Sequence, residues 1–446
     1  MSTSSLDKSS PGQKSRWPVW LCWLAMVLDG FDLVVLGTVI PTLIKSQELG
    51  FDAVGATFAA TISLVGVGLG ALFIAPLSDR LGRRNLLVAC VTWFSIFTIA
   101  VVFAPNVAWF STFRLLAGLG LGACLPAALA YMNDYAPAGT AGKSTTRTMT
   151  GYHVGAVATA FLALMVIPSW RTMFVVGGLA GLALVPFLWF KLPETLPPVH
   201  HVPAAAKSPA GAAIRGEVAH GTAHDTAHET VHAAAPEEER ASFRELGRKP
   251  YPLIAAGVGV ASFMGLLLVY GLNTWLPQLM ASAGYSLNAG LALLLVLNVG
   301  AVVGLLIAGV LADRHGTKRI VLLWFGLSAV FLAALSIQIQ NEVVLYAAVF
   351  VTGVFVFSSQ VLVYAWVTQL FPVRLRGTAL GFAAGVGRLG AILGPAVTGT
   401  LVAAGIAYPW GFYVFAGAAV LAVLALAFVP QTVGTTSRTG TAVGRS

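Results

Sequence analysis

Long apolar stretches and short polar breaks alternate along this chain with a regular beat. Apolar runs cover about 17–40, 54–77, 86–104, 107–131, 147–167 and 171–190, then about 252–280, 288–311, 319–338, 343–367, 378–404 and 409–429. Each is close to the roughly 20 residues that a helix needs to cross the hydrocarbon core of a bilayer. In lipid the backbone must satisfy its own hydrogen bonds, so runs of this length form helices. The pattern predicts an all-α membrane protein with twelve transmembrane helices, one six-helix unit used twice. The boundaries are a tail at 1–16, a bundle at 17–190, a linker at 191–250, a second bundle at 251–430 and a tail at 431–446.

The polar breaks carry the orientation. With twelve spans, one side holds Lys8, Lys14, Arg16, Arg80, Arg83, Arg84, Lys143, Arg147, the basic residues of the linker, Arg314, Lys318, Arg319, Arg374, Arg376, Arg438 and Arg445. The other side holds only Lys45 and Arg171. The positive-inside rule then places both termini in the cytoplasm of a multi-pass protein of the inner (plasma) membrane. Composition agrees: 57% of residues are hydrophobic and 10% charged, far below the quarter or so expected of a soluble domain. The net charge of +9 reflects anchoring at the inner leaflet and calls for no nucleic-acid partner.

Cys22, Cys90 and Cys124 lie inside apolar runs without ligand spacing and read as small core residues, so no metal or other cofactor is expected. The linker from Pro197 to about Ala241 is rich in Ala, His, Glu and Pro and reads as a largely disordered tether. Its His220, His224, His228 and His232 recur every four residues and leave divalent-metal binding or pH sensing as the other reading.

Charge inside the spans is where chemistry is expected. An ionised side chain at mid-bilayer costs roughly 2.5–3.5 kcal/mol even on a lenient scale, so such residues are kept for pairing or function. Asp29 and Asp32 flank Gly30-Phe31 in the first run, three apart and therefore on one helix face. Arg114 in the fourth run lies at a similar depth to Asp32, and pairs with Asp32, Asp29 or both. Gly118 and Gly122 beyond it are spaced to admit a neighbouring helix. Arg388, in the eleventh run, is a second candidate for an anion, and His153 is a titratable group inside the fifth.

An internal repeat marks the loops after the second and eighth runs. Asp79-Arg80-Leu81-Gly82-Arg83-Arg84 and Asp313-Arg314-His315-Gly316-Thr317-Lys318-Arg319 both read D-R-x-G followed by basic residues. These loops and the six-plus-six layout resemble the major facilitator superfamily over almost the whole chain. Asp29-Gly30-Phe31-Asp32 resembles its aromatic acid:proton symporter branch. Tyr270-Gly271-Leu272-Asn273-Thr274-Trp275-Leu276-Pro277 and Gly387-Arg388-Leu389-Gly390-Ala391-Ile392-Leu393-Gly394-Pro395 support that branch. Ala75 departs from the glycine that usually opens the loop motif.

The resemblance implies import of a benzoate- or hydroxybenzoate-type acid by alternating access, driven by protons as the coupling ion. Asp29, Asp32 and Arg114 would carry proton coupling, and Arg114 or Arg388 would meet the substrate carboxylate. Phe31, Tyr152, Tyr270, Trp275, Phe357, Tyr364 and Trp366 are candidate walls for its ring, and His153, Asn273 and Gln360 candidate polar contacts. Asp79, Arg80, Gly82, Arg83, Arg84 and Asp134, with Asp313 and Arg314 as a weaker counterpart, would latch the halves on the cytoplasmic side. Expected partners are the aromatic acid, protons and the lipid bilayer, with the protein a monomer. The alternative on the same fold is a proton-coupled exporter of drugs or metabolites. An enzyme is not indicated, since no nucleophile–base pair appears, and a sensor would need a signalling domain that neither tail supplies.

Overall fold

The computed structural model describes residues 17–135, 141–194 and 243–430, with side chains omitted at Asp79, 133–135, 141–147, 243–244 and 373–374. The linker histidines and both tails lie outside the described residues. Helices α1 (Trp17–Ser46), α2 (Ala53–Leu77), α3 (Arg83–Ala100), α4 (Val107–Tyr135), α5 (Ala141–Val166) and α6 (Trp170–Lys191) form the N-terminal half. Helices α7 (Pro252–Ser282), α8 (Leu287–His315), α9 (Thr317–Ala334), α10 (Glu342–Leu370), α11 (Val373–Ala403) and α12 (Ala407–Ala427) form the C-terminal half. All twelve are long and apolar enough to cross a membrane.

The chain runs up and down between a linker-side face and a far face. On the far face, Asp52, Asn106, Ser286 and Asn341 accept backbone N–H bonds at the starts of α2, α4, α8 and α10. Trp17, Trp20, Trp189 and Phe428 at one face, and Phe103, Trp109 and Trp410 at the other, are exposed as interfacial belts.

Glycines set the packing, and they set it twice. A methyl at Gly30 would overlap the Tyr152 carbonyl and one at Gly155 the Val27 carbonyl, which presses α1 onto α5 backbone to backbone. Gly118 and Gly122 do the same for α4 against Ser63 and Val67 of α2. In the second half Gly390 and Gly394 meet Phe263 and Leu267, joining α11 to α7, and Gly353 meets Leu297, joining α10 to α8. The pairs α1–α5 and α2–α4 thus reappear as α7–α11 and α8–α10. Apolar side chains gain little by leaving lipid, so close backbone packing supplies the adhesion.

Two local departures from the expected spans stand out. Helix α1 continues past Ile40 to Ser46 through Pro41. That proline leaves the Gly37 carbonyl without its helical donor, but Pro41, Thr42 and Leu43 are buried and hold the turn in place. Helix α2 loosens into a π turn at Gly70–Ile74, where Gly70 abuts the Leu119 carbonyl of α4.

The halves meet unequally. On the far side α1 touches α7 at Gly37 against Asn273 and Thr274, and α2 touches α11 at Thr57 against Gly399. Midway, a methyl at Gly68 would reach Ile392 at 3.8 Å. Below that, methyls at Gly377, Gly381 and Gly385 of α11 would meet nothing described within 4 Å, and Leu72 and Phe73 of α2 are each 65% exposed. One apolar core joins the C-terminal half to the far side of the N-terminal half, while the N-terminal half keeps a separate core towards the linker. The molecule is sealed at the far face and parted on the linker side.

Candidate substrate and coupling site

The two aspartates of α1 go to different places. Asp32, 2% exposed, accepts from Thr98 Oγ1 of α3 at 2.7 Å and from Arg114 Nη1 of α4 at 2.9 Å. Arg114 Nη2 also donates to the Asp32 carbonyl at 3.0 Å, and its guanidinium lies 5.9 Å from the centre of the Phe174 ring. This pair is closed inside the N-terminal half. At 1% exposure, Arg114 does not present its fork to a ligand. Nη1 and Nη2 of the guanidinium are taken by Asp32, while its buried Nε has no hydrogen-bond partner.

Asp29, also 2% exposed, has no hydrogen-bond partner at Oδ1. Its carboxyl lies within electrostatic reach of Arg388 of α11, across the divide between the halves, and of Cys90 and Cys124 in its own half. Arg388 donates to the Tyr270 hydroxyl of α7 at 3.2 Å and lies beside Tyr364 of α10. Tyr270 neighbours Tyr152 of α5, and Tyr152 meets His153 edge to face with ring centres 5.2 Å apart. His153 in turn meets Phe357 of α10 edge to face at 5.7 Å, and Gln360, one turn on, adjoins Tyr364. The contacts close a ring of side chains drawn from α5, α7, α10 and α11, with Asp29 of α1 within electrostatic reach of Arg388. Tyr152, Tyr270, Tyr364 and Arg388 are only partly buried and line the parted linker side.

Several polar atoms in this ring lack a protein partner. His153 Nδ1 is buried without a hydrogen bond, and the buried Gln360 amide has none beyond its approach to the Tyr364 hydroxyl. Unpaired buried polar groups cost about 1–3 kcal/mol each, which a ligand hydroxyl or carboxyl would recover.

Other expected site residues lie elsewhere. Phe31 packs on Gly177 of α6 inside the N-terminal half. Trp275 is wholly buried and donates to the Pro395 carbonyl at 3.0 Å, tying α7 to α11. Neither walls the cleft, because helix rotation turns both into packing seams. Trp366 is likewise buried. Asn273 sits at the far-side seam, where its Oδ1 accepts from Asn298 Nδ2 of α8 at 3.0 Å. Asn298, a lone polar residue in an apolar run, passes unnoticed in the sequence although that isolation is itself a signal.

The repeated loops share a backbone shape, with Gly82 at φ 89° and Gly316 at φ 90°. Arg83 donates to the Ala130 carbonyl of α4 at 2.7 Å. Arg84 donates to the Leu192 carbonyl at 3.4 Å and lies over Trp189. These bonds knit the first loop to its own half, whereas a latch would require the other half. Arg80, Asp313 and Arg314 are exposed, and the side chains of Asp79 and Asp134 lie outside the described residues. On the far face Glu48 accepts from Trp170 Nε1 and Arg171 Nη1, each at 2.9 Å. These bonds, the tryptophan's foremost, hold its carboxyl below the usual range.

Comparison with known proteins accords with this architecture. The sequence profile of the Major Facilitator Superfamily matches residues 22–305 and 293–444. The chain is 35% identical to the gentisate transporter of Corynebacterium glutamicum, over 92% of this chain and 86% of that protein. It is 32% identical to the gallate transporter of Pseudomonas putida, over 91% and 90%. It is 31% identical to the benzoate transport protein of Acinetobacter baylyi, over 91% and 87%. The crystal structure of a D-xylose–proton symporter shares the fold with a TM-score of 0.68 at 17% identity, covering 93% of this chain and 97% of that one. The doubled six-helix unit, its repeated loops and these relatives agree: the chain belongs to the major facilitator superfamily, in the branch that contains these aromatic-acid transporters.

Proposed function

We propose that the protein imports an aromatic carboxylate of the benzoate or hydroxybenzoate type across the inner membrane, coupled to protons. The linker side is cytoplasmic on this reading, since it carries the Lys and Arg excess. The parted side is then the release side, and the protein functions as a monomer.

The observation that carries the reading is Arg388, which donates to Tyr270 in a cleft walled by tyrosines and lies within electrostatic reach of Asp29. A guanidinium matches a carboxylate fork, and flat phenol rings match an aromatic ring. One arginine serves two acids. A substrate carboxylate on Arg388 deprives Asp29 of its countercharge, and a buried uncompensated anion is relieved by taking up a proton. Proton and anion then travel together, and release of either on the cytoplasmic side returns Asp29 to Arg388. Asp32 and Arg114 serve as a strut that keeps α1, α3 and α4 moving as one body.

The test is uptake of radiolabelled gentisate and 4-hydroxybenzoate by cells making the protein, with and without a protonophore. Protonophore-sensitive uptake that is lost in Arg388→Gln is the expected result. Uptake of neither acid, with the protein present in the membrane, overturns the proposal.

A further inference from the structure

A second concave site lies on the far face, outside the central ring. A cavity of about 400 Å³ opens between α1 and the α7–α8 turn, lined by Pro41, Lys45, Gln278, Tyr285, Ser286 and Leu287 among others. That volume falls in the range of small-molecule sites and exceeds a benzoate-sized anion. It sits directly above the far-side seam. Pro41 is one turn beyond Gly37, and Gln278 one turn beyond Thr274, so about 6 Å separates the cavity floor from the contact that must part for access.

Its chemistry suits an aromatic anion. Lys45 is exposed and has no acid partner among the described residues. Glu48, three positions on, is committed to Trp170 and Arg171. The cation thus keeps its charge free on a side that the positive-inside rule otherwise strips of lysine. Tyr285 is a fixed wall, since its hydroxyl donates to the Ile339 carbonyl at 2.9 Å and accepts from Ile339 N at 3.1 Å. With both functions used, the ring face is what Tyr285 offers. The Ser286 hydroxyl accepts from Ala289 N at 3.2 Å and retains its own proton to donate.

We infer that this cavity is an outer vestibule that collects a monoanionic aromatic carboxylate on Lys45 and holds it above the closed seam. The inference rests on the importer reading above. A charge about 5 Å away in water changes local anion concentration about fourfold, and reversing it changes the concentration about sixteenfold. Screening by salt erases the effect, since the Debye length falls to about 3 Å at 1 M.

Two measurements test it. In right-side-out vesicles at low ionic strength, Lys45→Gln is expected to raise the KM for 4-hydroxybenzoate import about fourfold. Lys45→Glu is expected to raise it about sixteenfold, with turnover at saturation held and the differences lost at 1 M salt. Equal KM values for wild type, Lys45→Gln and Lys45→Glu overturn the vestibule. Independently of transport, purified Arg388→Gln protein titrated with 4-hydroxybenzoate is expected to keep weak, salt-sensitive binding that disappears in Arg388→Gln/Lys45→Gln. Absence of that residual binding also overturns the vestibule. Wild-type protein that transports no aromatic acid overturns the importer reading instead, and the titration still decides the vestibule.

Discussion

Two aspartates three residues apart in one helix have opposite fates, and substitution separates them. On the proposed mechanism, Asp29→Asn removes the group that trades Arg388 with the substrate and leaves the fold intact. Exchange of labelled for unlabelled acid is expected to continue, while proton-driven accumulation falls to background. Asp32→Asn breaks a buried, hydrogen-bonded pair, which costs about 3–5 kcal/mol. Its expected signature is a large drop in the melting temperature of the purified protein, whatever substrate is present. The unpaired atoms of His153 and Gln360 set a third expectation. His153→Phe or Gln360→Leu should narrow the preference for 4-hydroxybenzoate over benzoate about tenfold in competition assays, because a site built to bond a hydroxyl rejects the analogue that lacks one. The sequence shows that Asp29, Asp32, Arg114 and Arg388 are costly and therefore employed. It does not show which partner each takes. Positions three apart differ by about 60° around a helix, enough to give Asp32 to Arg114 and Thr98 and leave Asp29 Oδ1 without a hydrogen bond. The same rotation hides Phe31 and Trp275 in packing seams, and nothing local in the chain records it.

At the scale of elements, the twelve runs and the duplicated loop are legible because both are local: length predicts a span, and D-R-x-G predicts a turn that only glycine fits. Gly82 and Gly316 adopt nearly the same positive φ, but their surroundings differ. A methyl on Gly82 would lie 2.8 Å from a Glu194 carboxylate oxygen, while one on Gly316 would meet nothing described within 4 Å. Gly316→Ala should therefore cost only the backbone strain, about 1–3 kcal/mol. Gly82→Ala should cost measurably more, read as a lower unfolding temperature in detergent. The π turn in α2 and the extension of α1 through Pro41 escape sequence reading, since each depends on a neighbouring backbone: Leu119 for the first, Asn273 for the second.

At the scale of the whole molecule, the asymmetry between faces defines a conformational state. Gly37 lies flush against α7, so Gly37→Leu should prop the far side apart. The native cysteines are all buried, and a single cysteine placed at Thr274 then reports access. Labelling from the periplasm is expected to be slow in the wild-type background and fast with Gly37→Leu, with transport lost. The point that this leucine would wedge open is main chain against main chain: Gly37 meets the carbonyl of Asn273 and the Cα of Thr274. Around it lies the apolar core that joins the two halves, so a side chain forced in at Gly37 acts on the whole far-side contact. A ligand that prefers one form by about 2 kcal/mol redistributes the population about thirtyfold. On the proposed mechanism, a differential of that size from a small anion and a proton is what has to move the far face.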